Sequence, residues 1–275
     1  DIIVTYGPQG VEFAARACKI YVPGTSIVCV STEGYGKDHA WKITVANISS
    51  PLSDALTSYQ TPTILFLRGP GTINANTRGG EAIIVHGFNL FGDSMQLSYG
   101  QTGTEYEAVD CTVFTPHLVV RCESAEGTGA NHLYRVSTNG LSSELYKSPY
   151  GYSAPVLNDV VGAGANKALS AGGEQVHLRG KNFGSIGSTS IINATYLDEF
   201  EHVLHTASDC IRTRSHTEIT CFTVEGSGRN LKWTVVVDGL SSTNPSSSFL
   251  RPEIGVASMI EFNSNDATPV RRRAL

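Results

Sequence analysis

Cys111-Thr112-Val113-Phe114-Thr115-Pro116-His117-Leu118-Val119-Val120-Arg121-Cys122-Glu123-Ser124-Ala125-Glu126-Gly127-Thr128-Gly129 is the stretch that decides the reading of this chain. Its two cysteines are 11 positions apart and are followed by Glu-Gly-x-Gly, and the same frame recurs at Cys18 and Cys29 and at Cys210 and Cys221. Each second cysteine leads to a glutamate and paired glycines: Glu33-Gly34-Tyr35-Gly36, Glu126-Gly127-Thr128-Gly129 and Glu225-Gly226-Ser227-Gly228. An aromatic stands seven residues after the first glycine (Trp41, Tyr134, Trp233), and a Ser-Ser pair begins fifteen after it (Ser49, Ser142, Ser241). Three copies in one register mark an internal repeat.

Working outward, the upstream half of the unit is found twice. Gly79-Gly80-Glu81-Ala82-Ile83-Ile84-Val85-His86-Gly87-Phe88-Asn89 matches Gly172-Gly173-Glu174-Gln175-Val176-His177-Leu178-Arg179-Gly180-Lys181-Asn182, each after a Pro-led apolar strand beginning at Pro62 or Pro155. The expected units are therefore a partial module over 1–58, full modules over 62–153 and 154–250, and a tail over 251–275. In the partial module Ile2-Ile3-Val4-Thr5-Tyr6-Gly7 aligns with Met95-Gln96-Leu97-Ser98-Tyr99-Gly100. The third copy departs from the pattern at Asn193-Ala194-Thr195-Tyr196, where Tyr-Gly is lost and residues are inserted before Cys210, so its middle strand is the least defined.

Apolar residues alternate at period two, as in Trp41, Ile43 and Val45 and in Trp233, Val235 and Val237, which directs one face of each strand inward. Short alternating strands between Gly- and Ser-rich turns predict an all-β chain of tandem immunoglobulin-like sandwiches. The segment between each cysteine pair reads as two strands meeting at a turn. Close Cys-x-x-Cys pairs of the zinc type are absent, so disulfides in an oxidising compartment are the economical reading. Each bridge closes a small loop and is expected to add about 2–3 kcal/mol to a module under 100 residues long.

These residues resemble the IPT/TIG domains, immunoglobulin-like modules of plexins, of hepatocyte-growth-factor-receptor-type ectodomains and of multi-repeat surface proteins. The resemblance rests on Gly-Gly-x6-Gly-x-Asn-Phe-Gly at Gly172 to Gly184 (one residue longer at Gly79 to Gly92), on Cys…Cys-x4-Gly-x-Gly, and on the Val-x-Val strand ending in Ser-Ser. It spans about nine-tenths of the chain and implies an extracellular, non-enzymatic array. The family also occurs in DNA-binding transcription factors, a class that six cysteines and an acidic balance disfavour here.

The formal net charge of −5 offers no electrostatic footprint for nucleic acid. The basic run Arg271-Arg272-Arg273 reads as a solvated tail or a processing signal. No apolar stretch reaches the roughly 20 residues of a membrane helix. No set of side chains assembles a catalytic centre, and no cofactor or metal is expected. His202 and His205 read as surface histidines, His39 and His132 as packing or edge residues, and Glu33, Glu126 and Glu225 as turn caps. Two sequons, Asn47-Ile48-Ser49 and Asn193-Ala194-Thr195, are expected to carry N-linked glycans, and Ser241 to Ser248 is a weaker candidate for O-linked sugar.

The ends carry the functional expectation. A sandwich without its first strands exposes an inner face and unpaired edges. Residues 1–58 read that way, with Ile2, Val4, Trp41, Ile43 and Val45 on the face to be covered. The tail from Pro252 places Ile254, Val256, Ile260 and Phe262 on one side of a strand and resembles the opening of a further module. The expectation is strand donation from one copy to the next, head to tail, giving a self-assembled extracellular glycosylated filament. Starting at Asp1 rather than Met, the chain reads as processed or excised, and a cut from a longer tandem array is the competing account. The rival functions are a spacer or adhesion fragment of a receptor ectodomain and accessory modules of a secreted carbohydrate enzyme.

Overall fold

The computed structural model describes residues 1–198, 203–242, 246–249, 258–261 and 270–273. The chain is all-β: among the described residues there is no α-helix, only 3-10 turns at Pro70–Thr72 and Ala163–Ala165. The strands form tandem, predominantly antiparallel β-sandwiches.

The second sandwich shows the complete plan. Its strands are β7 (Thr63–Arg68), β8 (Ala82–Leu90), β9 (Met95–Gly100), β10 (Tyr106–Glu107), β11 (Val109–Thr115), β12 (His117–Glu123), β13 (Leu133–Thr138), β14 (Leu141–Ser142) and β15 (Tyr146–Lys147). One sheet has the order β11-β12-β8-β7 and the other β10-β9-β13-β14, with β15 also on β13. The alternation seen in the sequence puts Ile83, Val85, Val120 and Cys122 from the first sheet against Leu97, Tyr99, Tyr134 and Val136 from the second, and these form one buried core.

The third sandwich repeats the plan with β16 (Val156–Val161), β17 (Asn166–Ala168), β18 (Gln175–Lys181), β19 (Ile192–Leu197), β20 (Leu204–Thr206), β21 (Ser208–Arg214), β22 (Glu218–Phe222), β23 (Leu231–Val237), β24 (Leu240–Ser241) and β25 (Ser246–Phe249). Its sheets run β16-β18-β22-β21 and β17-β25-β23-β19-β20 around a core containing Val176, Leu178, Ile219, Tyr196, Trp233 and Val235. The middle strand that was least defined in sequence is β19, which pairs with β23 and sets Tyr196 opposite Trp233.

The first copy has β1 (Ile2–Gly7), β2 (Phe13–Ala14), β3 (Arg16–Val22), β4 (Ser26–Val30), β5 (Ala40–Val45) and β6 (Ile48–Ser49). One complete sheet, β2-β1-β5-β6, is present, and the second consists of β3 and β4 alone. The counterpart of β4 in the second copy, β12, bonds β11 on one side and β8 on the other. Among the described residues nothing takes the place of β8 and β7 here. In the tail, β26 (Ser258–Glu261) and β27 (Val270–Arg273) pair antiparallel.

All three cysteine pairs are bonded across these hairpins: Cys18–Cys29, Cys111–Cys122 and Cys210–Cys221.

Candidate assembly interface

Among the described residues no second-sheet strand covers part of one face of the first copy. Trp41, Ile43 and Val45 alternate on β5 and point the same way as Tyr134, Val136 and Thr138 on β13. Where a second sheet covers them, Val136 and Val235 are 0% exposed and Val237 1%, whereas Ile43 is 37% and Val45 46% exposed. Ile2, Ile20, Val22, Ile27, Ile43 and Val45 line a recess of about 390 Å³ between β5 and the β3–β4 hairpin. Its rim is the outer edge of β4, whose backbone groups lack the ladder that β12 makes with β8.

The other end of the same half-sandwich is closed. Tyr6 stacks on Trp41 with ring centroids 4.3 Å apart, and Phe13, His39 and Tyr59 surround the pair. The Tyr6 and Tyr59 hydroxyls share a 2.5 Å hydrogen bond, and Tyr59 donates to the Thr32 carbonyl. The second copy has the same device in Tyr99, Tyr134 and Tyr152, with a 2.6 Å bond between Tyr99 and Tyr152. Burial there pushes the Tyr99 hydroxyl up to about 12 and Tyr152 higher still. Of the expected acceptor residues, Ile2, Ile43 and Val45 therefore face the recess, Val4 is already buried, and Trp41 is half-buried against Tyr6. In the tail, Ile260 falls on β26 opposite Arg271, while Ile254, Val256 and Phe262 lie outside the described residues.

Tyr59 falls beyond the expected module end at residue 58, so the first unit extends at least one residue further. The signal was available: Tyr59 and Tyr152 each stand eighteen residues after the aromatic of the repeat.

The repeated glutamates are not turn caps at the first two positions; they reach into the following module. Glu33 Oε1 lies 2.6 Å from His117 Nε2, and Glu126 Oε1 2.5 Å from His216 Nε2, while His216 Nδ1 meets the Thr77 hydroxyl at 2.9 Å. Both histidines stand six residues after the first cysteine, at the hairpin tip, a correspondence visible in the sequence once the copies are aligned.

His39 and His132 are buried in the aromatic clusters, and burial draws the His132 imidazole below its ordinary value. Leu231 fills the same place in the third copy and is buried too. His205 stacks on Tyr196 at 5.0 Å, and His202 lies outside the described residues. No cluster of metal-ligating side chains occurs among the described residues. No described helix is long and apolar enough to cross a membrane. Asn47 is exposed at the second position of a tight turn with φ 66°, and Asn193 is exposed on the outer side of β19.

No family model matches this chain, and no curated protein matches it in sequence. Solved structures to which the chain shows some similarity include SGBP-B from a complex xyloglucan utilization locus in Bacteroides uniformis, at 12% identity and a TM-score of 0.29 over 74% of this chain and 54% of that one. Another is the surface glycan-binding protein PbSGBP-B from Prevotella bryantii, at 13% identity and a TM-score of 0.43 over 77% of this chain and 52% of that one. This chain spans about half the length of each.

Proposed function

We propose that this protein is a non-enzymatic structural subunit of an extracellular filament, built from IPT/TIG-type modules and assembled head to tail by β-strand complementation. The observation that carries this reading is the uncovered inner face of the first copy: Ile43 and Val45 stay exposed where their counterparts are sealed, and β4 offers a free edge. In the second copy the equivalent face is covered by two adjacent antiparallel strands, β7 and β8, which have no counterpart among the described residues of the first. The tail contains two strands that pair antiparallel, β26 and β27, and it is the segment we assign to the neighbouring copy's recess. Backbone pairing supplies the affinity and the apolar face supplies the register. Because the donating and accepting surfaces differ, the contact is heterologous and propagates.

Three disulfides suit an oxidising, extracellular setting. Exposed Asn47 and Asn193 are the assigned N-glycan carriers, so the mature fibre is sugar-coated.

Removing residues 252–275 tests the reading. By sedimentation velocity and electron microscopy the intact chain is expected to polymerise with concentration, and the truncated chain to remain monomeric with a first module that melts early. Polymerisation of the truncated chain at the intact chain's concentration overturns strand complementation. An intact chain that stays monodisperse favours the receptor-spacer reading instead.

A further inference from the structure

The Glu-Gly-x-Gly turn occurs three times, and two of the three are occupied. At each occupied turn the glutamate bonds the histidine at the hairpin tip of the next module: Glu33 with His117, Glu126 with His216. Both histidines have φ 63°, a left-handed conformation that strains a residue bearing a Cβ. The corresponding tip of the first copy is Gly24 at φ 77°, with open space around it. Glycine adopts that conformation freely. The strained choice is thus found at the two tips that meet a glutamate.

The rest of the joint repeats as well. Tyr35 donates to Asp93, and Gly36 lies against Asn139; Thr128 donates to Asp238 at 2.5 Å, and Gly129 lies against the same Asp238. Asn139 and Asp238 open equivalent tight turns, both with φ 44°, and the counterpart in the first copy is Ala46 at φ 48°. The glutamate–histidine pair and the glycine packed on a tight turn thus recur at both joints, while the hydroxyl donor reaches a different acceptor in each.

The third turn is uncovered. In the second copy Thr128 and Gly129 are buried against Asp238 of the next module, whereas Ser227, the counterpart of Thr128, is exposed. Among the described residues the Glu225 carboxylate has no partner. It borders a recess of about 490 Å³ shared with Ser170, Ala171, His205 and Ser227.

We propose that this recess is a docking surface for the Gly24 end of the first module of a second copy, so that the joint between subunits repeats the joint between modules without its ion pair. The inference rests on strand complementation. The chain passes from β15 directly into β16 to open the third module. A tail that continues from β25 into a neighbour's first module therefore delivers that module to the Glu225 end. Lacking the histidine, this joint is the weakest of the three, and filaments under load bend or part there.

The test restores the missing partner. G24H in the full chain is expected to lower the critical concentration for polymerisation about fivefold, the scale of one exposed ion pair. The double variant G24H/E225Q is expected to return to the value of the unaltered chain, and E225Q alone to leave it unchanged. A G24H effect that is absent, or that persists in the double variant, overturns the docking surface while leaving strand complementation intact. Absence of polymers from the unaltered chain overturns both. Should G24H misfold, G24K gives a second route: carbodiimide treatment of filaments is expected to link position 24 of one copy to Glu225 of another, identified by mass spectrometry. Filaments that yield no such link overturn the proposal.

Discussion

Placing a carboxylate on the open face, Ile43→Asp, separates folding from assembly. In the free subunit Ile43 is 37% exposed, so the substituted carboxylate keeps access to water and the first copy retains its Tyr6–Trp41–Tyr59 cluster. Its counterparts Val136 and Val235 are 0% exposed beneath a second sheet, and the proposed strand donation would bring position 43 to that state. Sealing the remaining third of an isoleucine side chain contributes about 0.5–1 kcal/mol, which the variant forfeits. Burying the unpaired carboxylate in its place costs about 3 kcal/mol more. With a factor of ten for each 1.4 kcal/mol, the critical concentration should rise at least about 100-fold. Light scattering over a dilution series reads that shift, and a thermal melt of the monomer serves as the control. Polymerisation at an unchanged concentration refutes the argument that this face is covered on assembly. The same substitution at Val136 should instead unfold the second module, because that site is sealed within the subunit itself.

Acid should loosen the second module through His132. Burial lowers its folded-state pKa, so the neutral ring contributes stability that is complete above the ordinary histidine value of about 6.5 and is withdrawn as pH falls through that value toward the folded one. His132→Leu, copying Leu231 of the third copy, should flatten the melting temperature of this module between pH 7.5 and 5; an unchanged acid dependence counts against the buried ring as its source. Mild reduction should open Cys18–Cys29 first, since Cys122 and Cys221 are fully buried while both Cys18 and Cys29 are partly exposed. Alkylation with mass spectrometry reads the order, and assembled material should lose the preference as the hairpin becomes covered.

Period-two alternation and the cysteine frame are local properties, so the hairpins, the inward faces of β5, β13 and β23, and the tandem organisation could be read directly from the chain. The exposure of Ile43 and Val45 belongs to the same order: among the described residues no strand covers the face they share. What lay beyond that reading is tertiary. Glu33 and Glu126 look like turn residues because the turn is adjacent in sequence, whereas their partners His117 and His216 lie 84 and 90 residues away. Tyr59 fell outside the expected unit because a residue in a linker acquires a structural role only through the ring it touches, here Tyr6. Alternation alone places Val4 on the uncovered face and does not reveal that its own module already buries it.

The tyrosine that clasps the closed end has a kinetic consequence. Before any neighbour arrives, the Tyr6–Tyr59 bond already ties β1 to the Thr32 turn at the closed end of the half-sandwich. On the proposed strand complementation the receiving end is thus partly preorganised, and the guest has the greater conformational freedom to give up. Elongation should accordingly be limited by how quickly the arriving segment straightens, with the receiving half-sandwich behaving as a rigid mould from the first encounter.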